Sequence, residues 1–206
     1  MGTSRRDHLV ETALALFCRQ GFHVTGIDNV LRESGVAKKT LYNHFKSKDA
    51  LIVAVLHKRS EDFLGKQRQS VIRLAPVQQG DPRMSQVLAF FDGLHEWING
   101  DAFNGCTFIN AAAEYPRLDD PVHVACAEHK ELLVRFLEEL LADLQLQGCA
   151  SIARQLALLA DGAVVNAHTA GELLSAADAK DAARRLLESY MVAQGQGAFR
   201  RKVPAS

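Results

Sequence analysis

Apolar residues recur at helical spacing from Leu9 almost to Gln194, and no stretch alternates apolar with polar residues long enough to make a strand. A chain patterned this way can bury its stripes only helix against helix, so the expected fold is all-α. Glycines and polar capping residues divide the pattern. Ser4-Arg5-Arg6-Asp7 resembles a capping box; Leu9, Ala13, Leu16 and Phe17 follow at helical spacing, and Gly21 is placed to close the first helix in a left-handed cap. Thr25 is the expected start of a short second helix, with Asp28 three residues on, Ile27, Val30 and Leu31 inward and Gly35 at its end. After Gly35-Val36-Ala37 a third helix begins at Lys38, with only Leu41 and Phe45, four apart, facing inward. Ser47 then caps a fourth helix, expected over about 48–74, with Asp49 near its positive end and Leu51, Val55 and Phe63 buried.

From Ala75 to Pro82 the composition is that of a loop. Two clear amphipathic stripes come next: Met84, Val87, Leu88, Phe91, Leu94 and Ile98, then Val122, Ala125, Cys126, His129, Leu133, Phe136, Leu137, Leu140 and Leu144. Between them lie turns at Asn99-Gly100-Asp101 and Asn104-Gly105, a short helix from Cys106 to Tyr115, and a loop from Pro116 to Pro121. Two further helices are expected over about 151–170 and 178–194, for about nine in all, with 195–206 as a loose tail. No internal repeat is present.

Formal net charge is zero, but Met1 to Lys48 holds eight of the 24 basic residues against four of the 24 acidic ones, leaving 16 basic and 20 acidic residues for the rest. A cationic end on an anionic body suits a chain that meets phosphates at that end. Cys18, Cys106, Cys126 and Cys149 are widely spaced, form no Cys-x-x-Cys unit and are expected as free thiols. The first residues lead into a charged amphipathic stretch and not an apolar signal core, Arg6 spoils a myristoylation pattern, and no run of roughly 18 apolar residues could span a membrane, so the expected location is the cytoplasm. There is no Gly-x-Ser-x-Gly elbow, His-Glu-x-x-His or phosphate loop, which argues against a helical enzyme, and no cofactor is called for.

Three short helices with a tight glycine-containing turn between the second and third make a helix-turn-helix, whose last helix is built to enter a major groove. With Leu41 and Phe45 buried, the outer face carries Lys38, Lys39, Thr40, Tyr42, Asn43, His44 and Lys46: donors for phosphates and base edges, with no carboxylate among them. A plain scaffold protein would leave that bias unexplained. Ala13-Leu14-Ala15-Leu16-Phe17, Gly21-Phe22, Thr25, Ile27, Val30, Gly35-Val36, Thr40-Leu41-Tyr42-Asn43-His44-Phe45 and Lys48-Asp49-Ala50-Leu51 together resemble the N-terminal pattern of the TetR family of transcriptional regulators. The resemblance covers roughly the first 50 residues. It implies a DNA-binding domain over 1–48, joined by the fourth helix to a ligand-binding and dimerisation domain over 75–194. It also implies phosphate contacts from Thr25, Tyr42, His44 and Lys48, and base reading by Lys38, Lys39, Thr40 and Asn43 in a double-stranded operator. Ala37 departs from the pattern, since relatives usually place Ser or Thr there to cap the recognition helix.

For the second half the resemblance implies a pocket for a small-molecule effector and a homodimer through the last two helices, about 151–170 and 178–194. Leu156, Leu159, Ala160, Ala163, Val164 and Ala167 offer a small-residue face, and Leu186, Leu187, Tyr190 and Met191 a larger one; burial of both within one chain is the alternative. Phe91, His95, Cys106, Asn110, Glu114 and His129 stand out as candidate ligand contacts among apolar neighbours that include Phe90, Trp97, Phe103, Phe108 and Tyr115. Glu114, if buried, needs a cationic or hydrogen-bonding partner. Two sensing variants stay open: His123, Cys126 and His129 on one helix, two of which could share a metal, and Cys106 as a redox thiol at a helix N-terminus. The expected outcome is a regulator, most commonly a repressor, released from an inverted-repeat operator by its ligand.

Overall fold

The computed structural model describes residues 4–201, with side chains to Gln194. Nine α-helices account for most of them, and no strand occurs among the described residues: α1 (Arg5–Gln20), α2 (Ile27–Ser34), α3 (Lys38–His44), α4 (Lys48–Leu74), α5 (Ser85–Ile98), α6 (Thr107–Glu114), α7 (Pro121–Leu140), α8 (Cys149–Ala170) and α9 (Ser175–Arg201). Short 3-10 turns at Ala75–Val77 and Pro82–Met84 occupy the expected loop, and a third lies at Ala142–Leu144. The last helix continues to Arg201, so the expected tail is helical up to there and its remainder lies outside the described residues. No helix among the described residues is long and apolar enough to cross a membrane.

The helix ends show why these segments stop where they do. The Ser4 hydroxyl accepts the Asp7 amide at 3.1 Å, and Ser47 Oγ accepts the Ala50 amide at 3.1 Å, each supplying an acceptor to an otherwise orphan N–H. Gly35 ends α2 in the left-handed region, at φ 65° and ψ 12°. Gly21 differs from expectation: its φ of 88° is positive, but ψ is 166°, so the chain leaves α1 extended instead of curling into a left-handed cap. Thr25 does not cap α2, which starts at Ile27 behind Gly26; its hydroxyl donates instead to the Gly21 carbonyl at 2.7 Å, and the residue is wholly buried.

The chain packs as two compact units, the first comprising the residues up to Phe63 with Cys106–Glu131 and the second Leu64–Gly105 with Leu132 onward. In the first, Leu9, Ala13, Leu16 and Phe17 of α1 meet Val30, Leu41 and Phe45 beneath the helix-turn-helix, and the same core takes in Leu51 and Val55 of α4, Phe108 and Ala111 of α6, and Val122 and Ala125 of α7. The three N-terminal helices therefore share their apolar interior with α6 and the start of α7.

In the second unit α5 is buried along its expected stripe and packs with α8 and α9. Gly93 is the close approach between α4 and α5: a Cβ there would lie 2.7 Å from Ser70 Cβ and 2.8 Å from Gln67 Oε1. Lys180 on α9 donates to both oxygens of Asp92 on α5 at 2.7 Å, and Gln78 adds a third bond to that carboxylate at 2.6 Å. Leu156, Ala160, Ala163, Val164 and Ala167 are buried inside the single chain and Leu159 is half-buried, so most of the small-residue face packs within the unit. What α8 leaves exposed is Leu158, at 72% of its full area, and Val165, at 40%, one turn either side of Gly162, whose missing Cβ would touch nothing within 4 Å.

Candidate nucleic-acid interface

Helix α3 is held from below and offered from above. Leu41 and Phe45 are buried against the α1–α2 core as expected, and Arg6 lies 5.4 Å over the Phe45 ring, a cation on the outer face of the aromatic. Ala37 begins the helix in extended conformation with no side-chain bond to the first amides; the Thr40 and Leu41 N–H groups donate to its carbonyl at 2.9 and 3.2 Å. Lys38, Lys39, Tyr42, Asn43 and His44 are exposed and Thr40 is half-buried. Tyr42, 46% exposed, stands out because phenols are usually more buried than this in a folded core.

Lys46 falls outside α3, which ends at His44; it is exposed in the bend before Ser47. One carboxylate does reach this face: Asp28 of α2 lies 3.8 Å from Lys38 Nζ, both highly exposed, a pairing the one-helix view of the sequence does not reveal. Solvent makes such a pair weak, and a phosphate could displace it. Lys48 is half-buried, its Nζ donating to the His23 carbonyl at 3.0 Å. Thr25, with no exposed surface, is bound up in the turn.

That turn carries the group of residues that sequence reasoning misses. The Phe22 and His23 amides donate to Glu114 Oε1 and Oε2 at 2.8 and 2.6 Å, answering the question of what a half-buried Glu114 would bond: backbone donors 91 and 92 residues away. His23 stacks on Tyr115 at 4.7 Å, and the Tyr115 hydroxyl donates to Asp49 at 3.4 Å. Burial, together with the Asp49 charge and hydrogen bond, pushes the Tyr115 phenol up to about 12. The only sequence signal was that loop amides need acceptors; nothing local named the acceptor.

The six candidate ligand contacts are divided between the two units. Phe91, fully buried, and His95, half-buried and bonded to Asn99, belong to the second. Cys106, Asn110, Glu114 and His129 belong to the first. Cys106 is the N-cap of α6, its Sγ accepting the Ile109 amide at 3.5 Å. His129 is buried, its Nδ1 2.8 Å from Ser60 Oγ and its ring stacked 3.5 Å from Phe108. Burial, then the Lys130 and Arg59 charges, push this imidazole down to about 3. His123 Nδ1 bonds the Tyr115 carbonyl at 2.8 Å, and Cys126 is a buried thiol pushed up to about 11 by desolvation. No group of three or more His, Cys, Asp or Glu residues placed to hold a metal ion occurs among the described residues. A separate cavity of about 310 Å³ in the second unit is lined by Gly80, Asp81 and Met84 with Arg184, Glu188, Met191 and Val192 of α9, none of them a predicted ligand contact.

Residues 9–55, spanning α1 to the first turns of α4, match the family model described as bacterial regulatory proteins, tetR family. The chain is similar to the HTH-type transcriptional repressor DhaR of Mycobacterium sp. (strain GP1), 30% identical over 161 residues that cover 77% of this chain and 76% of that one. It is also similar to the HTH-type transcriptional regulator YjdC of Escherichia coli, 26% identical over 77% of this chain and 80% of the relative. Among solved structures, SCO4454, a TetR-family transcriptional regulator from Streptomyces coelicolor, matches with a TM-score of 0.76 and 31% identity over 91% of this chain and 96% of that one. These relatives are transcriptional regulators and not enzymes. A helix-turn-helix whose third helix turns its donors outward, continued by a helical domain that the relatives share over most of their length, makes this chain a member of the TetR family of transcriptional regulators.

Proposed function

We propose that this regulator is a repressor that binds an inverted-repeat operator as a dimer and is released by a small molecule. The observation that carries the DNA reading is the exposed face of α3, where Lys38, Lys39, Tyr42, Asn43 and His44 all present hydrogen-bond donors. On this reading Lys38, Lys39, Thr40 and Asn43 read base edges, while Tyr42, His44, Lys46 and Lys48 contact phosphates. Thr25 contributes by bracing the turn, since its hydroxyl is committed to Gly21. Function divides into DNA binding by residues 1–48 and effector binding and dimerisation by 75–194. The dimer reading is supported by the apolar stripe Leu158, Gly162 and Val165 left exposed on α8. Two recognition helices about 34 Å apart would meet successive major grooves, and an effector that favours another spacing would release them. Near-complete switching requires roughly a 10⁴-fold preference of the effector for one state, about 5.5 kcal/mol. Phe91 and His95 of the second unit and Cys106 and Asn110 of the first remain separate candidate effector contacts, while the Glu114 carboxylate is taken up by the Phe22 and His23 amides and the His129 ring is buried against Ser60. Repression is supported by the naming of DhaR as a repressor.

A second reading, release by oxidation of Cys106, has one observation in its favour: the half-buried sulfur stands at the start of α6 and accepts the Ile109 amide at 3.5 Å. Under it, oxidant abolishes operator binding by the native protein and leaves Cys106→Ser bound.

The test of the main reading is selection of bound duplexes from a random pool by the purified protein, with Tyr42→Ala as the control. Enrichment of an inverted repeat by the native protein alone is the expected result. No enrichment by folded protein at moderate salt would remove the operator reading.

A further inference from the structure

Glu114 is the last residue of α6, the end where the helix's own carbonyls already gather negative charge, so its carboxylate sits at the unfavourable pole. Its bonds explain the placement. Oε1 and Oε2 accept two consecutive amides, Phe22 at 2.8 Å and His23 at 2.6 Å, in the turn between α1 and α2. The Glu114 carbonyl lies 2.7 Å from His23 Nε2, and the His23 ring stacks on Tyr115. Tyr115 reaches Asp49, and Lys48 reaches the His23 carbonyl, both from the first turn of α4. The segment that leads into α2 and the one that leaves α3 are thus tied to a single point at the end of α6, and the helix-turn-helix is bracketed at both ends.

The fit admits little slack. A Cβ on Gly21 would stand 3.1 Å from Glu114 Oε1, and its three nearest neighbours would all be atoms of that carboxylate. Two parallel N–H groups facing two anionic oxygens form a pair of charge-assisted bonds, which fix direction as well as distance. Glutamine, the same size, accepts through one oxygen only and turns an NH₂ donor toward the other amide donor.

The geometry points to Glu114 as a positioning residue for DNA binding: its carboxylate clamps the α1–α2 turn and, through His23 and Lys48, the start of α4, and so holds α3 at the angle that meets base edges. Glu114 itself touches no DNA in this arrangement. The inference rests on the proposal that α3 is the helix that reads the operator. Loss of the clamp should cost base reading far more than phosphate attraction, because long lysines follow a phosphate through a small rotation of the helix, whereas bidentate contacts to bases do not.

The experiment measures the affinity of full-length protein for the selected operator and for a scrambled duplex of equal length, by fluorescence anisotropy, for the native chain, Glu114→Gln, Glu114→Asp and Tyr42→Ala. For Glu114→Gln the expected result is a roughly tenfold loss on the operator with the scrambled duplex changed by less than about twofold, a collapse of specificity. A variant that is merely less folded loses both affinities in the same proportion, so an unchanged ratio overturns the clamp. If Glu114→Gln does not fold, Glu114→Asp decides: it keeps the charge and both oxygens but falls one methylene short of the Phe22 and His23 amides, and the same split is expected, with an unchanged ratio again overturning the proposal. Operator affinity unaffected in Tyr42→Ala would instead bring down the reading of α3, and this inference with it.

Discussion

Ala37 is the residue at which α3 is cheapest to improve. It has the extended conformation of a helix cap but no side chain to receive the amides that follow, and a serine there should add about 1 kcal/mol. Ala37→Ser is therefore expected to raise the melting temperature; an unchanged or lower value would mean that the start of α3 is misread. At His129 the effect depends on pH. The folded protein holds this imidazole down to about 3, through burial first and then the Lys130 and Arg59 charges, against an ordinary value of 6.5. Above about pH 6.5 the ring is neutral in folded and unfolded chains alike and the full stability is present. As pH falls toward 3 the unfolded chain takes up a proton that the folded one resists, and stability declines by up to about 1.4 kcal/mol per pH unit. Thermal melts between pH 7 and 4.5 should fall more steeply for the native protein than for His129→Gln, which cannot titrate there; parallel slopes would exclude His129 as the cause. At this scale the sequence is legible where a residue's neighbours are local. Ser4, Gly35 and Ser47 do what their positions foretell, because each bonds or turns within a few residues. Thr25 also looks like a cap, yet its hydroxyl finds Gly21 first, and Glu114 looks like a ligand contact, yet it answers amides near the other end of the chain.

Helices are where periodicity speaks most clearly, and the stripes of α5 and α7 are buried as their spacing requires. The inward pair Leu41 and Phe45 leaves α3 only one way to lie, which makes its donor face readable without a structure. The two sides of α8 are not readable in this way: its small residues suit either a neighbour in the same chain or a partner, and spacing cannot distinguish them. They pack on α9 and α5, and the remaining apolar side becomes the candidate interface. Two glycines make a test at this scale. Gly65 lies within α4 with nothing within 4 Å of a would-be Cβ, so Gly65→Ala should stabilise by up to about 1 kcal/mol through helix propensity. Gly93 lies within α5 where the same methyl would strike Ser70 and Gln67, and Gly93→Ala should cost about 1–3 kcal/mol. Chemical denaturation of both variants checks the contrast; shifts of the same sign would mean that α4 and α5 are less closely packed than described.

For the whole molecule, the charge asymmetry and the α8 stripe belong together in the proposed dimer, where a basic N-terminal end would gain operator affinity from two copies binding as one. Leu158→Glu alters a residue 72% exposed in one chain, so folding should survive while light scattering reports a monomer and operator affinity falls sharply. A variant that stays dimeric would exclude this side of α8 as the interface. The DNA-binding end was legible in the charge asymmetry and the donor face of α3, whereas an effector role for the second half was legible only through the resemblance, because any pocket there would depend on contacts between helices far apart in sequence. The claim on which the rest depends is that α3 reads bases. The direct measurement is a second selection from the random duplex pool with Asn43→Ala, compared with the native consensus. A consensus relaxed at one position in each half-site, with the others kept, is the expected result; the same consensus in both proteins would place the Asn43 side chain, and the α3 face with it, away from the bases.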